Sequence, residues 1–179
     1  MNSLKNKIII SMPTMKDYFF EKSIVYISDH GINGATGFIL NKKIDTPKFK
    51  KLFRTKFLKK YKDKIDKTFL MGGPLHLNKG IIIYQSKNKI VDSAPLSENL
   101  FYSNNKNALK YLCDKKTILY KVFFGYSAWG KGQLESELRA GDWIIKEINN
   151  DFIFKSNSIE MWKNTLNSIS ENLGQGGIS

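Results

Sequence analysis

The sequence predicts a single domain of mixed α and β structure, and three observations support this. The chain has 179 residues, of which 41% are hydrophobic and 25% charged. This is an ordinary composition for a globular protein, and a chain of this length buries about 70% of its unfolded surface. Short β-favouring runs alternate with longer segments that carry apolar residues at helical spacing. No internal repeat or low-complexity linker divides the chain, so one domain over residues 1–179 is expected, with a loose tail from residue 175.

The expected strands are short runs rich in β-branched and aromatic residues. They are residues 7–11, 23–28, 36–40, 68–71, 80–85, 100–103, 118–124, 143–148 and 152–154. Residues 29–35 contain two glycines and are expected to form the loop of a hairpin, and Gly125 is expected to end the strand before it. Gly72-Gly73-Pro74 is typical of a sharp turn. The sequence of residues 90–98 leaves its secondary structure ambiguous.

Four segments have helical spacing of apolar residues. Thr46 and Pro47 suit the start of a helix that extends to Tyr61, and its lysine-rich face is the strongest candidate for contact with nucleic acid or an acidic partner. A core helix with a solvated face is the ordinary explanation of the same pattern. The other helices are expected at 105–113, at 133–140 with Gly141 as its stop, and at 159–173, where Asn157 caps the start and Gly174 follows the end.

The segment 125–144 is the predicted functional site, because a glycine-rich turn before a helix N-terminus can bind an anion. Gly125, Gly130 and Lys131 fit the phosphate-loop spacing G-x-x-x-x-G-K. Gly132 lacks the hydroxyl that holds magnesium, and Glu135 and Glu137 bring negative charge to the site, so nucleotide hydrolysis is disfavoured. Two interpretations stay open. Either the loop binds a partner or a ligand, or its glycines permit a tight turn and its tryptophans pack.

Other candidate chemistry is sparse. Asp29 and His30 adjoin, but adjacent strand residues point to opposite faces, so His30 is expected to pack or to stabilise a turn. With His76 as the only other histidine, no metal site and no cofactor are expected.

Cys113 is expected to be buried, and a single cysteine suits a reducing compartment. No apolar run approaches the roughly 18 residues of a membrane span, so the cytoplasm is expected and membrane binding is not.

The formal net charge of +13 suggests attraction to nucleic acid. Arg54 and Arg139 are the only arginines, however, and arginine makes the bidentate contacts that read guanine. A lysine-dominated surface supports nonspecific, salt-sensitive attraction at low salt. Because charge alone supports only such contact, a genome poor in G and C is the preferred explanation of the abundant lysine over selected DNA binding.

Four ordered motifs resemble the signature of the YqgE/AlgH family, bacterial proteins of unsettled function. The first comprises Met12-Pro13, Met15, Asp17 and Phe19; the second Val25-Tyr26 through His30, Gly34-Ala35, Gly37 and Asn41; the third Gly72-Gly73-Pro74; and the fourth Gly125-Tyr126, Trp129-Gly130, Gly132-Gln133-Leu134-Glu135, Glu137-Leu138 and Trp143. Together they cover nearly the whole chain.

The resemblance implies an α+β fold, with a mostly antiparallel, barrel-like sheet and about four flanking helices. It also implies a cytosolic protein, a genetic association with transcriptional control of exopolysaccharide in one branch, and no established catalytic residue. Ser28 stands where many relatives carry cysteine, and Tyr84 where many carry histidine. Thiol or histidine chemistry at those two positions is therefore not expected in this chain.

The favoured hypothesis is a non-enzymatic binding or regulatory protein. The residues expected to contact a protein partner or a small anionic ligand are Asp17, Asp29, His30, Asn41, Gly72, Gly73, Pro74, Gly125, Tyr126, Trp129, Gly130, Gly132, Gln133 and Glu135. Two alternatives stay open: a small-anion or nucleotide binder, with or without enzymatic activity, and direct binding of nucleic acid.

Overall fold

A computed structural model describes residues 2–44, 69–115, 117–154 and 159–175. The strands in these ranges are β1 Lys7–Ser11, β2 Ile24–Gly31, β3 Gly34–Ile39, β4 Phe69–Met71, β5 Leu75–Gln85, β6 Ala94–Ser97, β7 Leu100–Ser103, β8 Leu119–Trp129 and β9 Trp143–Glu147. The helices in them are α1 Lys106–Asp114, α2 Gln133–Ala140, α3 Asp151–Phe154 and α4 Ile159–Gln175.

The strands form one curled sheet in the order β6-β7-β5-β8-β3-β2-β1-β9, and β4 pairs with β8 outside this path. All pairings along the path are antiparallel, whereas β4 lies parallel to β8. The sheet is a half-barrel flanked by helices, which confirms the α+β fold class.

The helices cover both faces of the sheet. On one face, α3 and α4 pack through Ile153, Met161 and Trp162 on a cluster of buried strand residues. The Trp162 indole also donates a 2.8 Å hydrogen bond to the Ser11 carbonyl, which fixes α4 to the end of β1. On the other face, α1 covers one cluster and Leu134 of α2 contributes to another. The sheet is therefore the core that positions the turns between its strands.

Four strands, β2, β3, β5 and β8, are longer than the sequence predicts. The expectation that Gly125 ends its strand is wrong, because β8 continues to Trp129. Gly125 adopts a φ of 73°, a left-handed conformation that bends the strand instead of stopping it. The first half of β8 then pairs with β5 and the last part with β3. The expected β2–β3 hairpin is confirmed, but its loop is shorter than residues 29–35, since β2 extends to Gly31 and β3 begins at Gly34.

The expected strand at 152–154 is wrong, because Asp151–Phe154 forms α3. The cause is local: the Phe152 N–H donates to the backbone carbonyl and to the side-chain oxygen of Asn149, which begins a helical turn. Gly174 does not end the final helix, which extends to Gln175. β5 begins five residues before its expected start, and the undecided segment 90–98 contains β6.

The predictions of α1, α2, β1, β7 and β9 are confirmed to within a residue. Gly141 follows α2 with a φ of 82°, as expected of a helix stop. The amphipathic helix expected from Thr46 and the capping role of Asn157 lie outside the described residues. Among the helices of the described ranges, none is long and apolar enough to cross a membrane.

Candidate functional site

The last part of β8, residues 125–129, is where the sequence motifs meet. Gly72 connects this strand to β3, since its N–H donates to Phe124 and its carbonyl accepts from Ile39, at 2.9 and 2.8 Å. A Cβ on Gly73 would lie 2.5 Å from the Ser127 nitrogen, and a Cβ on Gly125 would lie 2.5 Å from the Gly73 oxygen. Two backbones cross here with no room for side chains, which explains the glycines of the third motif and Gly125 of the fourth.

Two further motif residues extend this crossing. Pro74 leads directly into β5, whose first residue pairs with Tyr126 of β8. The exposed ring of His76 stacks on the Tyr126 ring, with 5.6 Å between the ring centroids. The crossing therefore presents one stacked pair of rings beside an otherwise buried backbone contact.

His30 and Glu135 join the second motif to the fourth across 105 residues. The His30 Nε2 atom lies 2.9 Å from Glu135 Oε1, and His30 Nδ1 accepts a 3.1 Å hydrogen bond from the Leu4 N–H. Because Nδ1 accepts, the proton of the neutral ring is on Nε2, which donates to the carboxylate. The side chain of His30 is 6% exposed.

This arrangement uses both ring nitrogens of His30. Asp29, by contrast, is exposed and pairs across the sheet with Thr36. The Glu135 carboxyl has a pKa below its ordinary value, because its own backbone N–H, and after it the His30 imidazole, stabilise the ionised form. The geometry fits the packing interpretation of His30 and gives it no nitrogen with which to take a proton from a substrate.

Glu137 joins the two tryptophans of the fourth motif, a role that the sequence did not predict. Its Oε2 atom accepts hydrogen bonds from the indole N–H groups of Trp129 and Trp143, at 2.9 and 2.8 Å. Its Oε1 atom accepts from Gln133 one helical turn earlier, at 2.9 Å, and the Gln133 oxygen accepts from the Gly130 N–H at 3.0 Å. The signal was two donor-only indoles on either side of an acidic helix, but their convergence on one carboxylate depends on the fold.

The two tryptophans are core residues. Trp129 and Trp143 are each 4% exposed, and their rings meet edge to face with 6.1 Å between centroids. Phe20 packs on both, stacked on Trp129 at 5.8 Å. A partner could contact Trp129 only after this cluster opened, so the structure favours a packing role for this residue.

Asp17 and Asn41 stabilise local loops. The Asp17 carboxylate accepts from the N–H groups of Phe19 and Phe20, at 2.8 and 3.0 Å. The Asn41 side chain accepts from the Ile24 N–H and donates to the Lys22 carbonyl, both at 2.8 Å. Each side chain replaces backbone partners that a bend in the chain removes.

The two departures from the family motifs are also internal. Ser28 is buried and lies within hydrogen-bonding distance of the Thr36 carbonyl and hydroxyl, at 3.2 and 3.1 Å. Tyr84 is fully buried, and its hydroxyl accepts a 2.8 Å hydrogen bond from the Ile90 N–H. Within the described ranges, no three His, Cys, Asp or Glu residues are grouped to hold a metal ion.

The exposed part of this region is a pair of adjacent turns, here called the rim. It comprises the β2–β3 hairpin tip, residues 31–33, and the turn before α2, residues 130–132. A Cβ on Gly34 would overlap the Trp129 carbonyl oxygen, so the hairpin lies directly against the turn. Ile32 projects from the tip with 86% of its surface exposed.

The phosphate-loop spacing does not form a phosphate cradle. Residues 125–129 belong to β8, so the loop that such a site requires is absent between the two glycines. The Gly130 N–H donates to the Gln133 side chain, and the Gln133 N–H donates to the Gly130 carbonyl. Gly132 caps α2 in a left-handed conformation without a side-chain hydrogen bond.

Comparison with known proteins identifies relatives over the full length of the fold. A family model described as AlgH-like matches residues 8–174. A UPF0301 protein of Shewanella loihica is 30% identical over 178 residues, which cover 98% of this chain and 96% of that protein. The UPF0301 protein YqgE of Escherichia coli K12 is 30% identical over 166 residues, which cover 90% and 89%.

Two solved structures share the fold. The AlgH protein from Pseudomonas aeruginosa superposes with a TM-score of 0.70 at 21% identity, over 99% of this chain and 91% of that one. A protein from Corynebacterium diphtheriae superposes with a TM-score of 0.68 at 18% identity, over 92% and 86%.

Proposed function

This chain belongs to the AlgH-like family, and we propose that it is a non-enzymatic binding protein of the cytoplasm with a regulatory role, whose protein partner contacts the rim. One observation carries the proposal: the side chains of His30, Glu135 and Glu137 bond to one another, to the tryptophans or to the backbone, while the turns they support are exposed. His30, Glu135 and Glu137 thus position the rim and leave its surface to a partner.

The same observation weighs against an enzyme or an anion site. A general base must reach a substrate proton, and both nitrogens of His30 are engaged inside the protein. An anion at the N-terminus of α2 needs unpaired N–H groups, and two of the N–H groups there, those of Gly130 and Gln133, already have partners. Glu135 adds negative charge at the same place.

Direct binding of nucleic acid would depend on another part of the chain. Ten basic and three acidic residues lie in segment 45–68, so this segment supplies +7 of the net charge of +13. It lies outside the described residues. The rim contains one charged residue, Lys131, and therefore suits a protein surface better than a phosphate backbone.

The substitution Ile32→Glu tests the proposal. Ile32 is exposed at the hairpin tip, so the change places a charge in the expected interface without disturbing the core. In cross-linking followed by quantitative mass spectrometry in cells, we expect the partners captured by the wild-type chain to decrease about tenfold, which corresponds to the loss of roughly 1.4 kcal/mol of binding free energy.

Val91→Glu is the matched control, since Val91 is another exposed apolar side chain, at 80%, in the connection between β5 and β6. It should leave capture unchanged. Capture that survives Ile32→Glu, or that decreases equally with Val91→Glu, would show that the rim is not the interface.

A further inference from the structure

The structure also contains an open groove on a different part of the surface, between the end of β9 and α4. Its volume is about 690 Å³, within the range of small-ligand sites. Residues 146–149 and Phe152 form one wall, and Glu160, Met161, Asn164, Thr165 and Ser168 of α4 form the other. The groove shares no residue with the rim, so a ligand bound in the groove would be independent of the proposed function.

The charges in the groove are separated along its length. Lys146 lies at the end of the groove beside Ser168, with 2.7 Å between its Nζ atom and the serine hydroxyl oxygen. Glu160 lies in the first turn of α4, eight residues before Ser168, which corresponds to about 12 Å along a helix. Glu147 is the remaining charged residue of the lining, and it forms a 2.8 Å ion pair with Lys7. The groove thus presents a cation at one end and a carboxylate at the other.

The lining between these charges suits an amide backbone. Asn149 and Asn164 lie on opposite walls, and an asparagine side chain offers both the donor and the acceptor that a peptide group requires. The Asn149 side-chain oxygen accepts from the Phe152 N–H at 3.2 Å, which fixes this amide group at the start of α3. Phe152 and Met161 supply apolar surface for side chains.

We propose that this groove binds a short peptide with free termini, its ammonium group at Glu160 and its carboxylate at Lys146. An extended chain rises about 3.3 Å per residue, so three or four residues span the rise of about 12 Å along α4 from Glu160 to Ser168, the partner of Lys146. Charge complementarity at both ends fixes the direction of the peptide, and the two asparagines contact its backbone without selecting its sequence.

Calorimetric titration with tetra-alanine tests this assignment. The unmodified peptide should bind at millimolar concentration, and acetylating its N-terminus or amidating its C-terminus should each weaken binding about tenfold, because a charge in the groove loses its partner. Glu160→Gln should abolish the effect of acetylation and keep that of amidation. Lys146→Met should do the reverse.

Lys163→Gln is the control, because Lys163 is an exposed residue of α4 that does not line the groove. It should leave all three affinities unchanged. No binding of tetra-alanine by the wild-type chain would overturn the proposal, and so would capped peptides that bind as tightly as the free one. The peptide modifications decide the question even where a variant fails to fold.

Discussion

At the scale of single residues, Glu137 is the clearest target for a measurement. Its carboxylate accepts both buried indole N–H groups, so Glu137→Ala leaves two donors of the core without a partner. Each unpaired donor costs about 1–3 kcal/mol, and we expect the free energy of unfolding in urea to decrease by roughly 2 to 6 kcal/mol.

Glu171→Ala provides the comparison, because Glu171 is an exposed helical glutamate of α4. It removes the same charge and the same atoms without an indole partner. Should the two variants lose equal stability, the indole hydrogen bonds would contribute nothing, and the fourth motif would need another explanation.

At the scale of elements, the contact between the β2–β3 hairpin and β8 depends on glycine. Gly34 has a φ of 125°, and a Cβ there would overlap the Trp129 carbonyl oxygen. Gly34→Ala must therefore separate β3 from β8 at the Ala35–Trp129 pair. We expect faster amide hydrogen exchange at residues 127–129 and a loss of stability well above the roughly 1–2 kcal/mol of left-handed strain alone.

Gly132→Ala measures the stability cost of a positive φ without a steric overlap. Gly132 also has a positive φ, 73°, but a Cβ there has nothing within 4 Å. This variant should lose about 1 kcal/mol and keep the exchange rates of β8. If Gly34→Ala behaved no differently from Gly132→Ala, the close approach of hairpin and turn would not be a requirement of the fold.

The elements that the sequence predicts well are those whose signals are local. The Leu134–Leu138 spacing and the Gly141 stop define α2, and the β-branched residues of β1 define a buried strand. The errors have tertiary causes. In isolation, Gly125 predicts the end of a strand. In the fold, Gly125 adopts its left-handed conformation within β8, where the strand passes against the backbone of Gly73. Residues 152–154 have the composition of a strand. Asn149 begins a helical turn there instead, because its side chain accepts from the Phe152 N–H.

At the scale of the whole molecule, the motifs are distant in sequence and adjacent in the fold. The residue types within each motif predict an unusual local conformation, such as a tight turn. Which motif touches which is determined by the order of strands in the sheet. The pairing of β3 with β8 brings His30 to Glu135, and the parallel placement of β4 beside β8 brings Gly73 to Ser127. Neither pairing has a sequence signal, since both bring together distant parts of the chain.

Lys121 links one buried side chain to the stability of the whole molecule. It lies in β8 with 5% of its surface exposed, and burial lowers the pKa of its ammonium group from the ordinary 10.5 to about 8. Between these values the unfolded chain holds a proton that the folded chain has released. Stability from this group therefore rises with pH between 8 and 10.5, and below pH 8 the cost of burying the charge is constant.

Replacing Lys121 with methionine removes this cost. We expect Lys121→Met to be more stable than the wild-type chain at pH 7 by up to about 3 kcal/mol, which is the free energy equivalent of the pKa shift, less whatever the contacts of the amine contribute. The difference should narrow as urea unfolding is repeated from pH 8 to 10.5, because the wild-type amine becomes neutral. Lys163→Met gives the effect of losing one exposed positive charge. A stability difference between Lys121→Met and wild type that stays constant over that interval would mean that the ammonium group is solvated in the folded protein.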